Sequence, residues 1–165
     1  MPDIQLSYTL DECNLSHITG IVYDFRDHRG VEFVPELKSS LERVLALDAF
    51  TNEQQSAILA FFYLFTAIAI KLNGLPPSFR RSLRFSIHSD IPVGAGLGSS
   101  ASYSVCLAAA LLRLSESHSM DSADWLDTVN AYAFLAETVI HGNPSGIDNT
   151  VSCFGTDFPV DLGWM

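Results

Sequence analysis

Leu83-Arg-Phe-Ser-Ile-His-Ser-Asp-Ile-Pro-Val-Gly-Ala-Gly-Leu-Gly-Ser-Ser-Ala-Ser-Tyr-Ser-Val-Cys-Leu-Ala-Ala-Ala-Leu-Leu112 changes its hydrophobic period twice. Leu83, Phe85 and Ile87 alternate with Arg84, Ser86 and His88, the pattern of a strand with one buried face. Ser100–Leu114 is rich in Ala and Leu and apolar nearly all round, which predicts a helix buried between layers. The loop between them, Asp90–Ser99, carries Gly94, Gly96 and Gly98 at alternate positions. Glycine takes positive φ and lets a ligand approach the backbone without a Cβ in the way. Successive N–H groups of such a loop, aided by the positive end of the helix dipole, favour a phosphate. Ser99 and Ser100, as cap and first-turn residues, offer hydroxyls to a phosphate oxygen or to a phosphate-bound Mg²⁺. A tight glycine turn whose serine merely caps the helix produces the same string. Two well-known phosphate loops do not fit. No Lys follows the glycines as GxxxxGK[ST] demands, and Gly98 falls one position early for GxGxxG.

Working outward, Thr51 and Gln54 form a capping-box pair that opens a helix expected to run to about Leu72. Asn73-Gly74 and Pro76-Pro77 stop it. Its apolar stretch, Ala57–Ile70, falls short of the ~20 residues that a membrane span needs, so it reads as a buried helix. Glu36–Leu47 shows helical spacing through Leu37, Leu41, Val44 and Leu45. Ile4–Leu10, the β-branched and aromatic Ile18–Phe25, and Val31–Val34 between a turn signal and Pro35 read as strands. On the other side, Ala123–His141 places Leu126, Val129, Ala133, Ala136 and Ile140 along one helical face. Strands, helices, a strand and helices again predict a mixed α/β domain.

The chain has 165 residues, 48% of them hydrophobic and 17% charged, which describes one globular domain. Nineteen acids against 9 Lys plus Arg leave a net charge of −10, so a nucleic-acid partner is not expected. The cluster Arg80, Arg81 and Arg84 is too small to coat a polyphosphate backbone. Cys13, Cys106 and Cys153 lie at no metal-ligand spacing and suggest neither a zinc site nor a disulfide framework. The first residues lack a signal-peptide pattern. No repeat or low-complexity linker interrupts the chain. A soluble protein of a reducing compartment, away from membranes, is the expectation.

A second unusual stretch is Glu137-Thr-Val-Ile-His-Gly-Asn-Pro-Ser-Gly-Ile-Asp-Asn149. Gly142 and Pro144 end the preceding helix. Glu137 lies one turn before that end and borders its apolar stripe, where a carboxylate is ordinarily solvated or paired. Asp148 follows a Pro-Ser-Gly turn, where an Asp ordinarily caps a helix or forms an Asx-turn. Together with the glycine loop they suggest more. Phosphoryl transfer needs a phosphate cradle, a carboxylate to hold Mg²⁺ and a second carboxylate near the acceptor hydroxyl. Ser100, Glu137 and Asp148 could supply those parts. His141 suits a helix C-terminus in any case, and Asn143 and Ser145 read as turn formers.

Ile91-Pro-Val-Gly-Ala-Gly-Leu-Gly-Ser-Ser-Ala101 resembles the second signature of the kinase superfamily of galactokinase, homoserine kinase, mevalonate kinase and phosphomevalonate kinase. His141-Gly-Asn-Pro-Ser-Gly-Ile-Asp148 and Ala101–Leu112 are similar to the mevalonate kinases within it. The similarity is strong over about Ser86–Ser152. It implies an α/β fold, a ribosomal protein S5 domain 2-like N-terminal domain with a mixed sheet packed by helices. It also implies ATP-dependent phosphorylation of mevalonate, a cytoplasmic step of isoprenoid and sterol synthesis. Position by position, Gly94, Ala95, Gly96, Leu97, Gly98 and Ser99, with Ser100, would wrap the ATP phosphates. Ser100 and Glu137 would hold Mg²⁺, and Asp148 would be the catalytic residue at the mevalonate hydroxyl.

The chain also departs from the family. Members begin with a Pro-Gly-Lys type motif, and neither Lys38 nor Lys71 sits in one. They continue into a second domain with a glycine-rich third motif. Residues 1–155 are therefore expected to form the kinase N-terminal domain without its first strand and motif. Residues 156–165 read as a divergent tail, and the C-terminal domain is expected to be absent. On this reading the short chain lacks turnover. A galactokinase or homoserine kinase type, or a non-catalytic fragment that binds nucleotide or pairs as a homodimer, are the alternatives.

Overall fold

Thr51 opens the helix around which the fold is built. Its hydroxyl accepts from Gln54 N, and the Gln54 side chain accepts from Thr51 N at 3.1 Å, the reciprocal capping box expected from sequence. In a computed structural model, which describes residues 6–10, 12–28, 30–80 and 83–155, this helix is α3, Asn52–Lys71. By length and composition α3 could cross a membrane, but Ile58–Ile70 is buried within the protein except at Ala67. It is the core helix of the domain.

The elements run β1 (Leu6–Leu10), α1 (Glu12–Asp24), α2 (Pro35–Val44), α3, a 3₁₀ turn (Pro77–Arg80), β2 (Leu83–Ile87), α4 (Ser99–Ser115), α5 (Trp125–His141) and α6 (Ile147–Phe154). Strands β1 and β2 pair antiparallel, with Leu6 opposite Ile87 and Leu10 opposite Leu83. The Phe85 ring stacks on Phe61 of α3 at 3.8 Å between centroids, and Phe79 stacks on Phe65 at 4.1 Å. These contacts fasten the β2 side of the domain to α3. The Tyr103 hydroxyl of α4 donates to Ala57 O at 2.7 Å, which fastens α4 to the same helix. α5 packs on α3 and α4, and α6 on α4 and α5.

Strand β2 and helices α2 to α5 lie where the pattern of apolar residues puts them. Ile18–Phe25, read as a strand, is instead the second half of α1. Ile18, Ile21 and Val22 are buried, with Leu15 and Phe25 packed beside them, which is helical spacing. Burial along a 3.6-residue period has overridden β-branched propensity. Val31–Val34, read as a strand, pairs with no strand among the described residues, although Val34 is extended. Its backbone is held by a side chain, Val34 N donating to the Tyr63 hydroxyl at 2.7 Å. The mixed α/β content expected from sequence is present, while the sheet among the described residues has two antiparallel strands. Ile4 and the expected tail 156–165 lie outside the described residues.

Candidate active site

The loop that joins β2 to α4 repeats one backbone device. Gly94, Gly96 and Gly98 have φ of 75°, 70° and 71°, all left-handed, and a Cβ on any of them would meet nothing within 4 Å. The glycines are therefore required by conformation and not by crowding. Val93 to Leu97 is exposed. Gly98 is the N-cap of α4 and supplies no side-chain cap, so the expectation of a capping Ser99 is corrected. Ser99 and Ser100 are the first two helical residues, and the first-turn N–H groups have no intrahelical acceptor. In contrast with α3, whose N-terminus is closed by Thr51, this terminus is open toward the loop.

One helical face behind that opening is polar. Ser100 and Ser104 lie one turn apart on α4, and Glu137 and His141 lie one turn apart on α5. The N-terminal end of α4 meets the C-terminal end of α5, and the four side chains interlock. Ser100 Oγ donates to Glu137 Oε2 at 3.2 Å, and Ser104 Oγ donates to Glu137 Oε1 at 2.9 Å. His141 Nε2 lies 3.1 Å from Ser100 Oγ and 3.8 Å from Glu137 Oε2. The single Ser100 proton goes to the carboxylate, so His141 serves Ser100 as a donor through Nε2–H. Glu137 is only 5% exposed, whereas His141 is open to solvent. The border position read from sequence has become a buried, paired carboxylate. No Lys or Arg among the described residues neutralises it; the positive end of the α4 dipole does part of that work.

Asp148 is the second residue of α6, exposed, in a first turn where a carboxylate favours the helix dipole. Its side chain is not the cap: Gly146, at φ 81°, occupies that position. α6 is tied to α5 by a part-buried pair, the buried Asn149 Nδ2 donating to Asn130 Oδ1 at 2.6 Å, with Asn130 Nδ2 donating to Thr150 Oγ1 at 3.4 Å. The Phe134 ring lies against Gly146, where a Cβ would come within 3.3 Å of it. Asp148 therefore stands on a helix packed against both α4 and α5, which carry Ser100 and Glu137. Ser100 and Glu137 are in hydrogen-bond contact; Asp148 bonds to neither.

Sequence reasoning passed over Ser104, Asn130 and Asn149. For Ser104 a signal existed. It stands four residues after Ser100, as His141 stands four after Glu137, so two i, i+4 pairs could face each other. For the asparagines no pattern distinguishes a bridging amide from a solvated one.

The family profile described as GHMP kinases N terminal domain matches residues 60–156. Among known proteins, the chain is 50% identical to the mevalonate kinase of Mus musculus over 119 residues, 66% of this chain and 29% of that protein. It is 48% identical to that of Bos taurus over 114 residues, 63% of this chain and 28% of that protein. It is 46% identical to that of Homo sapiens over 112 residues, 62% of this chain and 27% of that protein. The chain spans less than a third of the length of these relatives.

Proposed function

Because the chain belongs to the GHMP kinase family, we propose that it carries the phosphate- and metal-binding part of an ATP-dependent mevalonate kinase, in a ribosomal protein S5 domain 2-like fold with a mixed sheet. The observation that carries this reading is the Ser100–Glu137 pair held directly behind an uncapped helix N-terminus and three left-handed glycines. Amides of Gly94 to Ser99, with Ser100, bind the nucleotide phosphates. They offer hydrogen bonds without side-chain bulk.

The donor set suits Mg²⁺. A buried carboxylate oxygen and a hydroxyl oxygen converge at 3.2 Å, both hard oxygens. Among the described residues no three His, Cys, Asp or Glu side chains group closely enough to hold a metal alone. That also fits, since Mg²⁺ is usually bound through one or two carboxylates together with substrate phosphates. When bound, it offsets the negative charge on the transferred phosphoryl group. Asp148, exposed at the start of α6, accepts the proton of the mevalonate hydroxyl as that oxygen attacks.

The test is a coupled ADP-release assay with mevalonate, galactose and homoserine as acceptors. It is run on the chain and on a chimera in which residues 60–156 replace the matching segment of the mouse mevalonate kinase. The chimera is expected to turn over mevalonate alone, and Asp148→Ala in it to lose turnover. Undiminished turnover by the Asp148→Ala chimera removes Asp148 from the mechanism.

A further inference from the structure

Hydroxyls inside helices usually turn back to the carbonyl one turn earlier. Among the described residues Thr19 does so to Leu15 O at 2.7 Å, Ser115 to Leu112 O at 2.9 Å, Thr138 to Phe134 O at 2.9 Å and Thr150 to Gly146 O at 2.7 Å. Ser104 does not. Fully buried in the middle of α4, it donates across the helix interface to Oε1 of Glu137 at 2.9 Å. The local carbonyl would have satisfied the hydroxyl equally well, so its own hydrogen-bonding need does not explain the direction it takes.

The effect on Glu137 is specific. Its two oxygens have different surroundings. Oε1 faces inward, toward Ser104; Oε2 faces Ser100 and the exposed His141. With Oε1 held, the carboxylate cannot rotate about its last torsion, which is otherwise broad and roughly two-fold. Oε2 therefore stays in the one place where Ser100 Oγ also points. We propose that Ser104 is a positioning residue, which pins Oε1 of Glu137 so that Oε2 and Ser100 Oγ are preorganised to take a divalent cation with its nucleotide. The inference rests on the proposed phosphoryl-transfer reading of the same site, and deepens it by one residue. Groups that orient a metal ligand commonly change metal affinity or activity 10–100-fold when removed.

The probe is Mn²⁺ with ADP, titrated into the 165-residue chain and followed by the electron paramagnetic resonance of free Mn²⁺. Ser104→Ala is expected to weaken Mn²⁺ binding in the presence of ADP about 10-fold. Ser104→Thr, which keeps the donor, is expected to recover most of that loss. In a Glu137→Gln background, already weak, Ser104→Ala should change the Mn²⁺ affinity no further. Urea midpoints of every variant separate folding from binding. If Ser104→Ala shifts the urea midpoint but leaves the Mn²⁺ affinity within two-fold, the hydroxyl is structural and the inference falls while the kinase reading stands. An equal loss in both backgrounds means that Ser104 does not act through Glu137, and also overturns it. If the unaltered chain binds neither Mn²⁺ nor ADP, the phosphoryl-transfer reading itself fails and takes the inference with it.

Discussion

Gly98 and Gly146 make a controlled pair for weighing conformation against contact. Both are left-handed N-caps, at φ 71° and 81°, of the helices that carry Ser100 and Asp148. An L-residue in that region costs about 1–2 kcal/mol. Alanine recovers about 0.4–1 kcal/mol by narrowing the unfolded ensemble. At Gly98 a Cβ meets nothing within 4 Å, so Gly98→Ala should cost about 1 kcal/mol from conformation alone. At Gly146 the same Cβ comes 3.3 Å from Phe134 Cε2 and 3.4 Å from Cδ2, so the ring must give way. Phe134 is 42% exposed, so it can move, and the added cost stays below the ~1–3 kcal/mol of core overpacking. Gly146→Ala should therefore lose about 1–2 kcal/mol, a fall in Tm of roughly 2–4 °C per kcal/mol for a chain this size. Equilibrium urea unfolding of both variants, each also in a Phe134→Ala background, gives the two contributions separately. The excess at Gly146 should vanish once the ring is gone. A Gly146→Ala protein as stable as its parent, or an excess that survives Phe134→Ala, refutes the reasoning.

Two further outcomes concern the core around α3. Among the described residues, the Thr66 hydroxyl is buried and finds no hydrogen-bond partner. Thr66→Val should therefore stabilise by about 1 kcal/mol or more, the desolvation cost of an unpaired polar group; an unchanged or lower urea midpoint would show that the hydroxyl is satisfied. Burial pushes the hydroxyls of Tyr103 and Tyr63 above the usual tyrosine range and that of Tyr132 up to about 12. These groups bind their protons more tightly folded than unfolded, so their stabilisation is intact below pH about 10 and lost as pH rises beyond it. The urea midpoint should begin to fall near pH 9, where the Cys153 thiol, also pushed up by burial, starts to titrate in the unfolded chain, and fall more steeply beyond pH about 10. Tyr103→Phe should lose about 0.5–1.5 kcal/mol at pH 8 with its bond to Ala57 O, and show a shallower alkaline fall. A fall no shallower than the parent's would place the titration elsewhere.

Legibility followed the physics of each segment. α3 was readable because its cap is a local device, four residues long, and its apolar run is continuous. The loop before α4 was readable because only glycine tolerates three left-handed positions in five residues. α1 was not, because Ile18, Ile21 and Val22 satisfy a strand by composition and a helix by spacing. Only the surface they pack against decides between the two. In the candidate site, Ser100 and Glu137 were visible as a motif, yet their contact spans 37 positions and depends on how α4 and α5 cross. Ser104 carried a weaker mark, its i, i+4 spacing from Ser100, but its partner lies 33 positions away on another helix and the spacing alone does not name it.

Glu137 is best understood by comparing it with its neighbours on α5. Ala133, Ala136 and Val139 of the same helix are apolar, and each is buried. A carboxylate at 5% exposure, paired with two serine hydroxyls and approached by His141, is an expensive way to occupy that volume. Desolvating such a charge costs several kcal/mol, and neutral hydroxyls return only part of it. Packing alone therefore gives no reason for an acid here. On the proposed reading, a cation against Oε2 would supply the missing positive charge and offset that cost. A structural role accounts for the serine partners of Glu137; the proposed metal role would in addition give a reason for placing an acid, and not an apolar residue, at this buried position.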